Sequence, residues 1–286
     1  FDSTTVYIKI CALGSVFIIA YNIIGGVFRG LGDSKTPLIT VGIACVTNII
    51  GDLIFVGIFK MAVMGAALAT IMAQAISVIL SVIIIRKRGL PFEFSKNSIK
   101  FHKNLTSKII KYGTPIALQD GLVHMSFLVI MIIGNSMGVI PSAGIGVAEK
   151  LVGFIMLIPS SFSQAVSAFV AQNIGAGKKS RAWKGFYTAI ITGCSVGIII
   201  FMVGFFGGGV LSSFFTNDSE VIAQSAAYLK GFSADCILTC VLFSSIGYFN
   251  GCGKSIPVMI QGITSAFCIR IPVSIIMSRL PETSLT

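Results

Sequence analysis

The sequence predicts an all-α polytopic membrane protein, and three observations support this fold class. Hydrophobic residues make up 55% of the 286 residues and charged residues only 11%, whereas soluble domains carry about 25% charged residues. Eight apolar segments are long enough to cross a bilayer as helices, which satisfy their own backbone hydrogen bonds there. The third observation is a glycine-rich turn that occurs twice.

The eight predicted spans follow one another along the chain. They cover residues 5–27, 37–58, 62–85, 108–134, 142–171, 185–206, 228–249 and 257–278. Three glycine pairs have the GxxxG spacing that permits close helix approach, namely Gly26/Gly30, Gly193/Gly197 and Gly204/Gly208. Seven cysteines lie in or beside the spans without the spacing of a metal site or disulfide framework, so we interpret them as small apolar residues.

The glycine-rich turn separates the first two spans at residues 29–37, and a degraded copy separates the last two at residues 250–257. A shift that places Tyr7 on Tyr228 aligns the residues around both turns. The further aligned pairs are Lys9/Lys230, Gly26/Gly247, Phe28/Phe249, Gly30/Gly251, Gly32/Gly253 and Ser34/Ser255, with Pro37/Pro257 after one deletion. So many matches in a short window predict an internal duplication.

The net charge of +11 indicates membrane orientation and not a nucleic-acid partner, because the basic residues gather in loops beside the spans. If the turn at 29–36 is cytoplasmic, alternation places 86–107, 172–184 and 250–256 on the same side. That side then carries 15 lysine and arginine residues against five opposite, with Arg270 inside a span. We therefore expect a plasma or inner membrane protein with cytoplasmic basic loops.

The duplication also predicts the domain organisation. Both turns face one side, so the halves should be parallel repeats. The spans 108–134, 142–171 and 185–206 precede the repeat that contains the second turn, and their counterparts in the first repeat would fall before residue 1. The counterpart of the third span, 62–85, would begin near residue 283. We expect the complete protein to have twelve spans in two lobes. This sequence would then lack three spans on the N-terminal side and one on the C-terminal side. Residues 1–88 would complete the N-terminal lobe, 89–107 would link the lobes, and 108–286 would supply five helices of the C-terminal lobe.

Asp52 is the first candidate for chemistry, because an ionisable group inside a span is a functional candidate by default. Asn48 precedes it by four residues, so both side chains lie on one helical face, and Thr70 follows on the next span. These oxygen donors suit a small cation such as Na⁺, and the carboxylate could instead bind a proton because burial favours its neutral form. The alternative is that Asp52 only orders the helix bundle.

Five stretches resemble the multidrug and toxic compound extrusion (MATE) family of the MOP superfamily. They are residues 29–37, 48–52 and 65–70 in the first half, and 113–118 and 171–178 in the second. The resemblance covers essentially the whole chain in order. It implies a twelve-helix, two-lobe fold that opens alternately to each side. It further implies a monomeric antiporter, not an enzyme, that exports organic cations in exchange for Na⁺ or H⁺ without a cofactor.

The resemblance also implies roles for particular residues. In ion-coupled members of the family, Asn, Asp and Thr at the positions of Asn48, Asp52 and Thr70 form the cation site of the first lobe. A further acid in those proteins comes from a helix that this sequence lacks. Tyr21 and Asn22 in the first span are candidates to contribute from a facing helix.

Four further candidates lie in the second half. Some family members carry an acid where this chain has Val123, so Asp120 either replaces that acid or faces the headgroup region. His124 is either a proton relay or a satisfied core residue. Asp235 and Arg270 are expected to pair, either across the cavity or as a structural ion pair.

The composition permits a polarisable pocket for small amphipathic cations, since the chain has 22 Phe, 10 Met and 6 Tyr. The alternative function is a flippase of lipid-linked saccharides from the related MOP superfamily. Such a carrier needs a basic cavity for pyrophosphate, and here Arg270 and His124 are the basic residues well inside the spans. A membrane-embedded enzyme is less favoured, because the sequence has no HExxH or Walker motif.

Overall fold

The computed structural model describes residues 2–89, 100 and 102–278, and the regular elements among them are helices. They are α1 (Asp2–Leu13), α2 (Ser15–Gly30), α3 (Lys35–Asp52), α4 (Ala62–Arg88), α5 (Lys103–Ser136), α6 (Val139–Gly175), α7 (Lys179–Ser213), α8 (Ser219–Gly251), α9 (Ser255–Thr264) and α10 (Ile271–Ser278). Two π-helical turns, Leu53–Ile58 and Ser265–Arg270, extend α3 and join α9 to α10. Most of the predicted linker 89–107, as well as Arg279 and the region near 283, lies outside the described residues.

The prediction of an all-α membrane protein is confirmed. Seven helices are long and apolar enough to cross a membrane, and at most 33% of the most apolar window of any of them is buried within the protein. Large apolar side chains therefore face outward, as they do in contact with lipid. The first predicted span, 5–27, corresponds to a broken helix, because α1 and α2 form a pair bent by 53° that passes the length and hydropathy test together. Gly14 at the bend lies so close to Ile71 of α4 that a Cβ would overlap it.

The described chain divides into two compact units, residues 1–100 and 101–286. In the first unit, a stripe of small residues repeats every fourth position along α4: Gly65, Ala69, Ala73, Ser77 and Ser81, all buried. The stripe lets α3 approach closely. Gly51 packs on Ala69, and the Ser77 hydroxyl donates to the Thr40 carbonyl at 3.3 Å. The helices α3 and α4 consequently form a tight antiparallel hairpin.

In the second unit, glycines of α7 and α8 form the helix contacts. Four buried glycines of α7 face α8, namely Gly193, Gly197, Gly204 and Gly208. A Cβ at Gly197 would lie 3.1 Å from the Ile237 Cα. On its other side, α8 brings Gly247 against the backbone of Ser163 in α6. Close approach is therefore confirmed for two of the three GxxxG pairs, whereas a Cβ at Gly26 would meet nothing within 4 Å.

The two copies of the glycine-rich turn have the same backbone hydrogen bonds. The Asp33 N–H donates to the Phe28 carbonyl at 2.9 Å, and the Lys254 N–H donates to the Phe249 carbonyl at 2.8 Å. A third turn at 172–178 repeats the pattern, with the Lys178 N–H 2.8 Å from the Asn173 carbonyl. Each turn places its second glycine in the left-handed region: Gly32 at φ 86°, Gly177 at 73° and Gly253 at 73°. These are Schellman-type helix ends, which require glycine.

Basic segments of the second unit lie together at one of its ends. The Trp183 ring lies 5.4 Å from that of Tyr248, which brings the start of α7 to the end of α8. Tyr112 near the start of α5 lies against Gly253. Lys111, the turn at 178–184 and Lys254 therefore share this end. The acidic turn before α8, where Asp218 accepts from the Glu220 N–H at 2.9 Å, precedes the opposite end of that helix.

Candidate functional site

Asp52 and Asn48 present buried polar atoms at the end of α3. Within the part of the chain that the structure describes, the Asp52 Oδ1 atom and the Asn48 Nδ2 atom are both shielded from solvent and have no hydrogen-bond partner. A carboxamide carries a donor and an acceptor, so a half-turn of the Asn48 amide would place Oδ1 in that buried position. Asp52 stands directly before the first π-helical turn, a feature that is frequent at functional sites.

Thr70 and Tyr7 lie beside Asp52. Gly51 packs on Ala69, which brings the end of α3 alongside Thr70. The Thr70 hydroxyl donates to the Ala66 carbonyl at 2.9 Å, so its oxygen remains able to accept. The Tyr7 side chain of α1 lies within interaction range of the Thr70, Cys11 and Asp52 side chains. The structure therefore groups residues from α1, α3 and α4.

Gln74 adds another polar side chain to this part of the first unit. It lies one helical turn after Thr70, and its Oε1 atom is buried without a hydrogen-bond partner among the described residues. Since α3 and α4 run antiparallel, with Gly51 on Ala69 and Thr40 beside Ser77, Gln74 lies one turn further from Asp52 than Thr70 does. A carboxylate, a carboxamide and two hydroxyls can together coordinate a small hard cation through oxygen. Alternatively, the carboxylate can hold a proton.

Tyr21 and Asn22 lie elsewhere in the first unit. They line a cavity of about 20 Å³ with Pro37 and Thr40 at the start of α3, and the Asn22 amide donates to the Ile18 carbonyl of its own helix at 2.8 Å. The rise of an α-helix separates Thr40 from Asp52 by about 18 Å. The structure thus does not bring Tyr21 and Asn22 to Asp52, because the bend at Gly14 sends α2 toward the opposite end of α3.

Arg270 is held by neutral groups in the second unit. It ends the second π-helical turn, donates from Nη1 to the Ser126 hydroxyl at 3.2 Å, and lies 4.4 Å from the centre of the Phe127 ring. Asp235 interacts with it electrostatically, but no ion pair within 4.0 Å joins them in the described part of the chain. Instead, the Asp235 carboxylate accepts from the Thr239 hydroxyl at 2.9 Å. The pairing suggested by the sequence is therefore present as an electrostatic interaction, without a direct ion pair among the described residues.

Asp120 and His124 are the remaining candidates of the second half, and among the described residues neither is hydrogen-bonded to Arg270. Asp120 and His124 are exposed on α5 and interact electrostatically with each other. Tyr228 of α8 has electrostatic interactions with both Arg270 and Glu149. The second unit thus spreads its charges along several helices, whereas the first unit gathers its polar atoms around Asp52.

The sequence analysis missed Tyr7 and Gln74 as members of the first site. Neither side chain carries a charge, so the search for ionisable groups inside spans passed over them. One signal was present, since Tyr7 aligns with Tyr228 in the duplication, and each tyrosine lies near the charged candidate of its own unit.

The chain matches the family sequence model described as MatE over residues 2–54 and 115–276. A probable multidrug resistance protein of Bacillus subtilis, YpnP, is 28% identical over 95% of this chain and 61% of its own length. The probable multidrug resistance protein NorM of Thermotoga maritima is 25% identical, covering 99% of this chain and 62% of itself. The multidrug export protein MepA of Staphylococcus saprophyticus is 25% identical over 97% of this chain and 61% of itself.

Solved structures share the fold. A crystal structure of MATE in complex with MaL6 superposes with a TM-score of 0.91 at 16% identity, covering 98% of this chain and 63% of that one. An outward-facing multidrug resistance MATE transporter of the MOP superfamily gives 0.86 at 17% identity, covering 96% and 61%. This chain therefore spans less than two thirds of the length of these curated relatives and solved chains.

Proposed function

Because the chain belongs to the MatE family, whose members are transporters and not enzymes, we propose that the protein exports organic cations in exchange for Na⁺ or H⁺. The chain is a multi-pass membrane protein. The relatives YpnP, NorM and MepA are named for multidrug resistance or export, which supports efflux as the direction. The chain spans 61% of the length of YpnP, so the proposal concerns the whole protein.

The observation that carries ion coupling is the buried Asp52 Oδ1 atom, which has no hydrogen-bond partner among the described residues. A buried carboxylate without a partner is costly, and a proton or a small cation at that oxygen would remove the cost. Asn48, Thr70 and Tyr7 provide further oxygen atoms near Asp52, and Gln74 lies one turn beyond Thr70. The residues present thus fit a coupling site for either Na⁺ or H⁺.

Binding at Asp52 would drive transport by changing the balance between two conformations. A ligand shifts a conformational equilibrium only by its differential affinity for the two states. The coupling ion would favour the state that releases the organic cation outside, and loss of the ion inside would favour uptake of the next one. The proposed substrates are small amphipathic cations, carried by a monomer in the plasma or inner membrane without a cofactor.

A flippase of lipid-linked saccharides fits the second unit less well. Arg270 is the basic side chain that a pyrophosphate would require, but it donates to Ser126 and stacks on Phe127. Asp235 is also within electrostatic range of it and would repel an anion. These contacts favour cation export over transport of a pyrophosphate-linked lipid.

Transport by the full-length protein in liposomes tests the proposal. An inward Na⁺ or H⁺ gradient should drive export of ethidium, and Asp52→Asn should reduce that export to background because the amide cannot take up a cation's charge or a proton. Thermal unfolding in NaCl and in choline chloride at equal ionic strength separates the two ions. If Na⁺ binds at Asp52, NaCl should stabilise the wild type by mass action and leave Asp52→Asn unchanged.

Asp33→Asn is the matched control. It makes the same chemical change in the same unit, but Asp33 lies in the turn before α3, outside the proposed coupling site. Export per folded protein should therefore remain ion-driven in this variant. Undiminished export by Asp52→Asn would remove Asp52 from the mechanism, and equal losses in both variants would make the effect structural.

A further inference from the structure

A cavity of about 220 Å³ lies in the second unit between the start of α5 and the turn before α9. Lys111 and Tyr112 of α5 line one side, and Lys254, Ser255 and Ile256 line the other. Among the described residues of its lining, the two lysines are the charged ones. The cavity is separate from the coupling site around Asp52, and its interpretation does not depend on the proposed function.

The first turn of α9 offers hydrogen-bond donors to this cavity. The first N–H groups of a helix have no partner inside the helix, and no side chain caps α9. Lys254 at the cap position cannot accept a hydrogen bond. Ser255 is only 3% exposed, and within the described residues its hydroxyl makes no hydrogen bond. The positive end of the helix dipole adds to this attraction for an anion.

The first copy of the turn shows what occupies the corresponding place. There Asp33 stands where Lys254 stands in the duplication. The Asp33 Oδ1 atom accepts from the N–H groups of Lys35 and Thr36 at 3.1 Å and 3.0 Å. The first copy therefore carries its own anion, while the second copy combines the same backbone turn with a lysine and the hydroxyl of the cavity-lining Ser255, which makes no hydrogen bond within the described residues.

We propose that the cavity binds a phosphate group, with an anionic phospholipid of the adjoining leaflet as its source. Its 220 Å³ is several times the roughly 30 Å³ share of one water molecule, which leaves room for a phosphate and its ester group. Ser255 begins one span, and Lys111 and Tyr112 lie in the first third of another, so the cavity lies toward the membrane boundary, where lipid phosphates are found. Tyr112 and Ile256 are 43% and 49% exposed and offer apolar surface to the glycerol and upper acyl chain.

Thermal unfolding and native mass spectrometry of the full-length protein in detergent test this proposal. The probes are dihexanoyl phosphatidic acid, dihexanoyl phosphatidylcholine and inorganic phosphate. Phosphatidic acid should bind and stabilise the wild type more than phosphatidylcholine does. Lys254→Asp should weaken phosphatidic acid binding by about tenfold or more, because it removes one attraction and adds a repulsion. Its unfolding temperature without lipid should be equal or higher, because an aspartate at the cap position of α9 can accept a hydrogen bond from the Ile256 N–H.

Lys178→Asp is the matched control, since Lys178 caps α7 at φ −91° and ψ 59° much as Lys254 caps α9 at −103° and 62°. Lys178 does not line the cavity, so the control should leave phosphatidic acid affinity nearly unchanged. Ser255→Ala provides a second variant that keeps every charge and should also weaken binding. Stabilisation by inorganic phosphate that requires Lys254 would support the anion site with free phosphate as its source. The proposal would be overturned if Lys254→Asp bound phosphatidic acid as tightly as the wild type does, or if Lys178→Asp lost as much affinity as Lys254→Asp.

Discussion

Asp33 stabilises the turn before α3 through several contacts at once. Its Oδ2 atom accepts from the Thr36 hydroxyl at 2.6 Å, and its Oδ1 atom accepts from two backbone N–H groups. The Arg88 guanidinium lies 3.8 Å away and donates to the same Thr36 hydroxyl at 3.1 Å. The Thr36 hydrogen bonds, with a smaller contribution from Arg88, hold the pKa of Asp33 below its ordinary value of 3.8. The carboxylate thereby ties the start of α3 to the end of α4.

Acid should weaken the contact that Asp33 makes between the start of α3 and the end of α4. Because folding lowers the pKa of Asp33, its ionised form contributes stability above the unfolded-state pKa, and this contribution is lost as the pH falls through the folded-state pKa. Asp33→Asn keeps an acceptor oxygen but does not titrate. We expect the wild type to unfold at a higher temperature than Asp33→Asn near neutral pH, with the difference shrinking below about pH 4. Thermal unfolding across pH checks this, and a difference that stays constant with pH would contradict it.

The residues of the candidate site differ in how far the sequence could predict them. Asn48 and Asp52 could be predicted together, because four residues along a helix place side chains on one face. Gln74 could not, since a neutral side chain is identified as unpaired only when its neighbours are known. Tyr21 and Asn22 were assigned to the wrong neighbourhood because hydropathy gives no account of the bend at Gly14.

The helices pack through small residues, and this was partly visible in the sequence. The GxxxG pairs of α7 predicted contacts that the structure contains, because a glycine every fourth residue leaves a groove for another helix. The stripe on α4 mixes glycine, alanine and serine, so a search for glycine pairs alone did not find it. The duplicated turn was recognisable because a left-handed residue at a helix end strongly favours glycine.

Gly247→Ala should disrupt the contact between α6 and α8. A Cβ at this position would overlap the Ser163 carbonyl oxygen and lie 3.0 Å from the Ser163 Cα. Backbone atoms cannot rotate away as a side chain can, so overpacking should cost about 1–3 kcal/mol of unfolding free energy. Thermal unfolding in detergent should show a clearly lower transition temperature for this variant.

Gly231→Ala is the control in the same helix, because a Cβ there would meet nothing within 4 Å. The substitution raises helix propensity by roughly 1 kcal/mol in soluble helices and should not destabilise the protein. If Gly231→Ala lowered the transition temperature as much as Gly247→Ala, the α6–α8 contact would not be the cause.

At the scale of the whole molecule, the two halves share a framework but differ in polar content. The turns at 29–37 and 250–257 have the same hydrogen bonds and glycine conformation. The first half nevertheless buries an Asp52 carboxylate oxygen without a hydrogen-bond partner among the described residues, while the second half places an arginine against Ser126 and Phe127. A cation would be attracted to the first arrangement and repelled by the second. This asymmetry supports ion coupling through the first half of the chain.

The orientation in the membrane gives a prediction for the entire chain. Helix α7 has 35 residues and is therefore about 52 Å long, which exceeds the thickness of a bilayer with its headgroups. The basic turn at 172–178 and the acidic turn at 214–218 must then lie on opposite sides of the membrane. The excess of basic residues predicts that the first of these turns is cytoplasmic.

Cysteine labelling of the full-length protein can test whether α7 crosses the membrane and whether the turn at 172–178 is cytoplasmic. Ala176→Cys and Asn217→Cys each place a thiol at an exposed position without altering a charge. In intact cells, a membrane-impermeant maleimide should label Asn217→Cys above the wild-type background of native cysteines, and Ala176→Cys only after permeabilisation. The reverse pattern would invert the predicted orientation while leaving the fold intact. Labelling of both positions from outside would mean that α7 does not cross the membrane, and the span assignment itself would then be wrong.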